Sequence, residues 1–262
     1  NKKIVKEILQ KHPKPDAIVA SSVITHLEKP KEFARNIKSI LKNNGTLILE
    51  IEYLYNFLNN LEYERFYFDR PFYYSANSIN LLFKKIGMSL VDIEKIKIHG
   101  GSLRLYIKNS NSDKMTKRCK KILDKENDNL NFKELRKINK KINNESKILK
   151  DKLIKLKKDN KIVIGYGAPA RVSTITNFSA IDSSLIKYII DDSPIKQNKF
   201  TPGSHIKILP KSKNINNKIN TVIVFAYEYF NDIKKQFKKV KVDFYKPIPF
   251  KKLLWLIFYW KI

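Results

Sequence analysis

The chain has 262 residues, 42% of them hydrophobic, enough to build one large or two ordinary cores. Its 53 basic and 25 acidic residues leave a net charge of +28, yet the lysines are spread along the chain amid abundant Asn and Ile. No helix-turn-helix, finger or RNA-binding strand signature accompanies them, so the charge reads as compositional drift and not as a nucleic-acid face. A single cysteine, Cys119, excludes a disulfide framework and a thiolate metal site and suits a reducing, cytoplasmic compartment. No apolar run reaches the roughly 20 residues of a membrane span.

In chain order, residues 2–10 place Ile4, Val5, Ile8 and Leu9 at helical spacing, and Pro13 and Pro15 close that segment. Residues 16–20 form a short apolar run, read as a buried strand and followed at once by Ser21, Ser22 and His26. Pro30 suits a helix start, Phe33, Ile37, Ile40 and Leu41 give that helix a core face, and Asn44-Gly45 ends it. Residues 46–52 are the next strand. Strand, polar loop, helix, turn and strand make one α/β unit of a parallel sheet, whose ligands sit at the carboxyl ends of the strands. That placement singles out His26 and Glu50; the plainer reading of His26 is a loop histidine that satisfies backbone groups.

Residues 53–74 hold ten aromatics with Asp69 and Arg70 embedded among them, either a pocket lining or a loop packed over a sheet edge. Ser75 to Ser78 can cap a helix with Ile79, Leu82, Phe83 and Ile86 on its apolar face. Two strands, 91–98 and 103–107, flank His99-Gly100-Gly101. Residues 112–160 are rich in Lys, Asn and Glu, with widely spaced apolar positions. They read as two helices joined near 127–131, a solvated connector between two halves.

The second half opens on a strand at 162–164, the turn Gly165-Tyr166-Gly167, a helix at 171–178 and a strand at 188–190 ending in Asp191 and Asp192. Strand, glycine turn, helix, strand and acid is a nucleotide-binding layout, in which the turn and helix start offer N–H groups to a phosphate. A silent glycine turn in a parallel sheet is an equal reading. Strands at 221–226 and 240–245 flank a helix at 232–239. The tail 250–262 is basic and aromatic and reads as a helix packed on the domain or, less favoured, as a membrane-surface segment.

The runs DAIVASSVITHLEKPKEF, LKNNGTLILEIEYL, FYFDRPFYYSANSINLLFKKIGM, IHGGSLRLYI, IGYGAPAR and IDDSPIKQNKFTPGSHIKILP, in this order, resemble the sugar C-methyltransferases. Those enzymes use S-adenosylmethionine to methylate a carbon of a nucleotide-linked deoxysugar. The resemblance runs from about residue 3 to 249. It implies an α/β fold: part of a class I methyltransferase (Rossmann-like) sheet at 1–111, the helical connector at 112–160, a second small Rossmann-like domain at 161–250 and a tail at 251–262. The family's cysteine-rich zinc module and glycine-rich first strand-turn have no counterpart before Asp16, so the sequence reads as starting near the fourth strand of that sheet, a truncated enzyme or an inactive relative.

The resemblance also assigns roles. The family's catalytic Tyr-His-Glu-His falls on Tyr67, Phe68, Asp69 and Arg70, so a histidine base is replaced by an arginine that cannot accept a proton. His26 matches the histidine after the fourth strand, and Ser22, at the place of an asparagine, is the cofactor-side residue. Carbon methylation beside a ketone needs a base, an enolate stabiliser and an aligned methyl donor. His26 is the base candidate, with His99 a second imidazole; Tyr67 donates to the enolate oxygen or relays a proton, Arg70 stabilises the enolate or holds a sugar-nucleotide phosphate, and Asp69 orients either neighbour. His99, Arg104, Gly165, Gly167, Lys196 and His205 are the substrate-binding candidates.

Overall fold

A computed structural model describes residues 2–110, 114–212 and 214–253. The chain divides into two units: residues 1–60 with 68–138, and residues 61–67 with 139–262. The expected fold class, α/β with a Rossmann-like sheet in each half, is what the structure shows.

The first unit opens on α1 (Lys2–Lys11). Strand β1 (Ala17–Ser21) and helix α2 (Pro30–Ile40) follow, the latter with proline in its first turn, where no N–H is needed. Asn44, at φ 62°, turns the chain into β2 (Thr46–Glu52). Then come α3 (Leu54–Asn59) and α4 (Ala76–Lys84), whose Ser75 and Ser78 form a reciprocal capping box. Strands β3 (Ser89–Ile96) and β4 (Ser102–Lys108) and helix α5 (Lys117–Asn129) complete the unit. The sheet order is β1-β2-β4-β3, with β1 and β2 parallel and β4 antiparallel to both its neighbours.

Alternation along the strands gives this sheet two unlike faces. Leu47, Leu49, Ile51, Leu103, Leu105 and Ile107 are fully buried with residues of α2, α4 and α5. On the other face, register sets Val19, Ile48, Tyr106 and Asp92 in one row and Ser21, Glu50, Arg104 and Glu94 in the next. These residues are half-buried or exposed, Val19 at 68%. Helix α5 also carries the acid that completes α4: both carboxylate oxygens of Glu126 accept from α4's first N–H groups, Ala76 at 2.7 Å and Asn77 at 2.8 Å.

The second unit is built on β5 (Ile162–Tyr166), α7 (Arg171–Phe178), β6 (Ile189–Ile190), β7 (Ile208–Leu209), β8 (Ile219–Val224), α8 (Phe230–Gln236), β9 (Asp243–Lys246) and β10 (Lys251–Lys252). The long helix α6 (Phe132–Lys158) contains the division between the units, and its later half buries Ile142, Ser146, Leu149 and Leu153. The six-stranded order is β10-β9-β8-β5-β6-β7, parallel except for β10. Strands β5 and β8 are buried on both faces, as central strands of a parallel sheet are. Sequence reading missed β7 and β10, each two residues long and too short for alternation to register. The tail expected at 251–262 lies outside the described residues from 254 onward.

Candidate active site

The first unit gathers polar side chains at the carboxyl ends of β1 and β2. Ser22 leaves β1 at φ 53°, and its N–H donates to the Glu50 carbonyl at 3.0 Å, which holds the outgoing loop against β2. A 3-10 turn, Ile24–His26, follows. Ile24 and Thr25 are buried, which anchors the turn and leaves the His26 side chain 42% exposed.

Nδ1 of His26 lies 3.2 Å from the backbone oxygen of Asp69, and the Asp69 carboxylate stands 3.8 Å from the same nitrogen. A carbonyl oxygen only accepts, so in the neutral ring Nδ1 carries the proton and Nε2 keeps the lone pair. That is the tautomer a general base needs, with a carboxylate beside the charge it would acquire. Asp69 thus orients His26, and the structure brings these two candidates together.

Arg70 does something else. It pairs with Glu52, and both side chains are mostly buried, at 17% and 8% exposure. One row over, Glu50 accepts from Ser21 Oγ at 2.7 Å and from Arg104 Nε at 2.8 Å, and these two bonds hold its carboxyl below the usual range. Arg104 also approaches Glu94 at 3.8 Å, so it sits within a chain of charges across the half-exposed face of the sheet. His99 falls in the turn Ile98–Gly100, and its side chain lies outside the described residues.

The remaining candidates belong to the second unit. Tyr67 closes the 61–67 run and lies near enough to Arg171 to act on it electrostatically. Gly165 is inside β5, where an added Cβ would sit 2.7 Å from Ile189 and 2.9 Å from Phe225. Gly167, at φ 83°, turns directly against Ala226. The acid after β6 is spent on the turn: Asp191 accepts from Ala168 N at 2.6 Å and from Ser193 N at 2.9 Å, with Lys196 3.8 Å away. His205, exposed at φ 51°, ends a loop held by Thr201, Ser204 and Thr176 hydroxyls in a buried chain. Much of the K-Q-x-x-x-T-P-G-x-H-I pattern therefore serves loop geometry.

Sequence reading missed a buried polar cluster around Tyr227. Its hydroxyl donates to Glu64 at 2.9 Å, and Arg171 and Lys246 stack on its ring at 4.6 and 4.2 Å. Glu64 is 0% exposed, and burial pushes its carboxyl up; burial likewise lowers Lys246. The one sequence signal was an acid inside an aromatic run.

Residues 97–249 match the family model of the C-methyltransferase C-terminal domain, and residues 2–93 match a methyltransferase domain. The chain belongs to the C-methyltransferase family. The C-methyltransferase NovU of Streptomyces niveus is 23% identical over 252 residues, covering 93% of this chain. The chain spans 59% of that relative's length. A methyltransferase domain implies S-adenosylmethionine as methyl donor. In the first unit the strand-end carboxylates, the kind of group that binds ribose hydroxyls, are already paired: Glu50 with Ser21 and Arg104, and Glu52 with Arg70. Among the described residues, no helix is long and apolar enough to cross a membrane.

Proposed function

We propose that this chain takes part in carbon methylation of a nucleotide-linked sugar, with His26 as the base that removes the proton beside the sugar ketone. The observation that supports it is the His26–Asp69 pair. The Asp69 carbonyl fixes the proton on Nδ1, so Nε2 carries the lone pair, and the nearby carboxylate offsets the positive ring after proton uptake. The half-exposed ring can return that proton to solvent. S-adenosylmethionine, when bound, supplies the electrophilic methyl group. Arg70, tied to Glu52, positions the loop that carries Asp69, and Arg104 orients Glu50 beside Ser21. In the second unit, Gly167, Lys196 and His205 are proposed on the nucleotide side, with Lys196 facing phosphate.

The test is proton exchange in heavy water. The protein should wash deuterium into the carbon beside the ketone of a nucleotide-linked keto sugar, and His26→Ala should slow this roughly 10²- to 10⁴-fold. Undiminished exchange in that variant would remove His26 from the base role. A second reading, a relative that binds the sugar nucleotide without transferring methyl, draws on Arg70: the position that resemblance gives to a base holds a cation in an ion pair. Sugar-nucleotide binding by calorimetry with no exchange in the unmodified protein would favour it.

A further inference from the structure

In the second unit, the pairing of β9 with β10 sets two lysines against each other. Lys251 lies opposite Lys246 in the register, and residues directly opposite in an antiparallel pair share a face. Their neighbour Lys252 meets the Asp243 carboxylate at 2.7 Å. Among the described residues, no carboxylate forms an ion pair with Lys246 or Lys251. Like charges placed opposite one another cost stability, so packing alone does not favour the pair. Lys251 is exposed, whereas Lys246 is half-buried with its nitrogen 4.2 Å from the centre of the Tyr227 ring.

A cavity of about 260 Å³ opens beside them. Tyr227 and Phe230 give it apolar walls, and Glu228, Asn231 and the two lysines give it polar groups. It lies just below the roughly 300–1,000 Å³ of ordinary ligand pockets, so it admits a small molecule and not a nucleotide. Burial pulls Lys246 below the ordinary lysine range and Lys251 adds to this, against the pull of Glu62, Glu64 and Glu228. A desolvated amine beside a second cation is the setting in which a lysine becomes a nucleophile toward carbonyl carbon.

We propose that Lys246 is an imine-forming lysine whose ligand is a small carbonyl compound carrying a carboxylate or phosphate, with Lys251 holding the anion. The free amine adds to the carbonyl carbon, and the carbon–oxygen π electrons move to oxygen, which takes a proton. That oxygen then leaves as water while the nitrogen loses its proton, so one amine and one carbonyl give one imine and one water. The step consumes no oxidant or reductant. The Tyr227 ring that stacks on the ammonium group also favours the cationic iminium. Glu228 lines the same cavity, held at 2.8 Å by Arg171, and is the carboxylate that passes the proton during loss of water. The proposal is independent of the methyl-transfer reading and uses neither His26 nor S-adenosylmethionine.

Pyridoxal 5′-phosphate is the probe, because it joins an aldehyde to a phosphate. The full chain is treated with a substoichiometric amount, reduced with borohydride and mapped by peptide mass spectrometry. The label should concentrate on Lys246, severalfold above the exposed lysines, and should form at lower pH than theirs. Lys246→Arg, which keeps a cation over Tyr227, should remove that label, and Lys251→Gln should weaken it severalfold. Excess inorganic phosphate or pyruvate should slow the labelling, and the better competitor tells which anion the site takes. Label spread over the exposed lysines, or found first on Lys251, would overturn the proposal, and this reading comes from the unmodified protein whether or not a variant folds. Protection by neither anion would remove the role of Lys251. Protection by phosphate with no reducible bond at Lys246 would overturn the imine and leave an anion site only.

Discussion

The two sheets of this molecule solve different packing problems. The first buries one face completely under α2, α4 and α5 and keeps charges and half-exposed side chains on the other. The second buries both faces of β5 and β8. Their acids differ accordingly. Glu50 and Asp92 on the first sheet accept hydrogen bonds from arginine and hydroxyl partners, which lower both carboxyls. Glu64 in the second unit is sealed from solvent, and desolvation raises it. Hydrogen bonding to the charged carboxylate governs the first case and burial the second.

The largest effect should come from core truncation. Leu49→Ala on the covered face of the first sheet should cost about 2–5 kcal/mol in urea unfolding. Its neighbour Ile48→Ala, on the other face, should cost well under half of that. In the second sheet, the adjacent pair Val222→Ala and Ile223→Ala should both be costly, since both are fully buried. Equal costs at Leu49 and Ile48 would erase the contrast between the sheets.

Next in size is Gly167→Ala. It meets a Cβ contact of 2.4 Å at Ala226 in a left-handed backbone, a strain of about 1–3 kcal/mol. Arg70→Ala leaves Glu52 buried without its cation and should lose about 1–3 kcal/mol from the first unit. Arg70→His in the same place should leave any deuterium exchange measurable, because His26 and Asp69 make the base pair without it.

The smallest effect, and the sharpest for the comparison, is on pH. Glu50 and Asp92 have folded pKa values below their unfolded ones. Their stabilisation is present above the unfolded pKa and fades as pH falls through the folded value, so acid weakens the first unit. Glu64 has a folded value above its unfolded one. Its contribution is fullest below the unfolded pKa and is lost as pH rises through the folded value, so raising the pH above the ordinary carboxylate range weakens the second unit. Asp182, lowered by its bonds to Ser184, opposes this slightly from the surface. Glu64→Gln should raise the second unit's Tm at neutral pH and flatten its pH dependence; an unchanged profile would mean that Glu64 is not the sealed acid.

How much of this was legible beforehand follows from residue pattern. The helix at 171–178 was readable to the residue, because a glycine turn precedes it and a core face spans it. The strands at 16–20 and 46–52 announced themselves as apolar runs. The family resemblance put His26 and Asp69 in one catalytic set but had Asp69 orienting its own neighbours; its contact with His26, 43 residues away, came only from the fold, since no local spacing links a loop after β1 to one after β2. The Tyr227 cluster left only one trace, the acid Glu64 inside an aromatic run: Glu64, Arg171, Tyr227 and Lys246 come from four separate stretches, and only the fold assembles them. The aromatic run at 53–74 hid its own division, with 61–67 grouped in one unit and the residues on either side in the other. Aromatic density says that a segment is packed, not against what.

The carboxylate of Glu126 has one more consequence. It lies in α5, about fifty residues from the helix whose first two N–H groups it receives, and Cys119, Ile122 and Leu123 beside it are part of the first core. A protein cut at residue 111 would strip α4 of its anion and the sheet of part of its cover. Anyone dissecting this chain by limited proteolysis should therefore find the smallest stable first fragment extending to residue 129 or beyond.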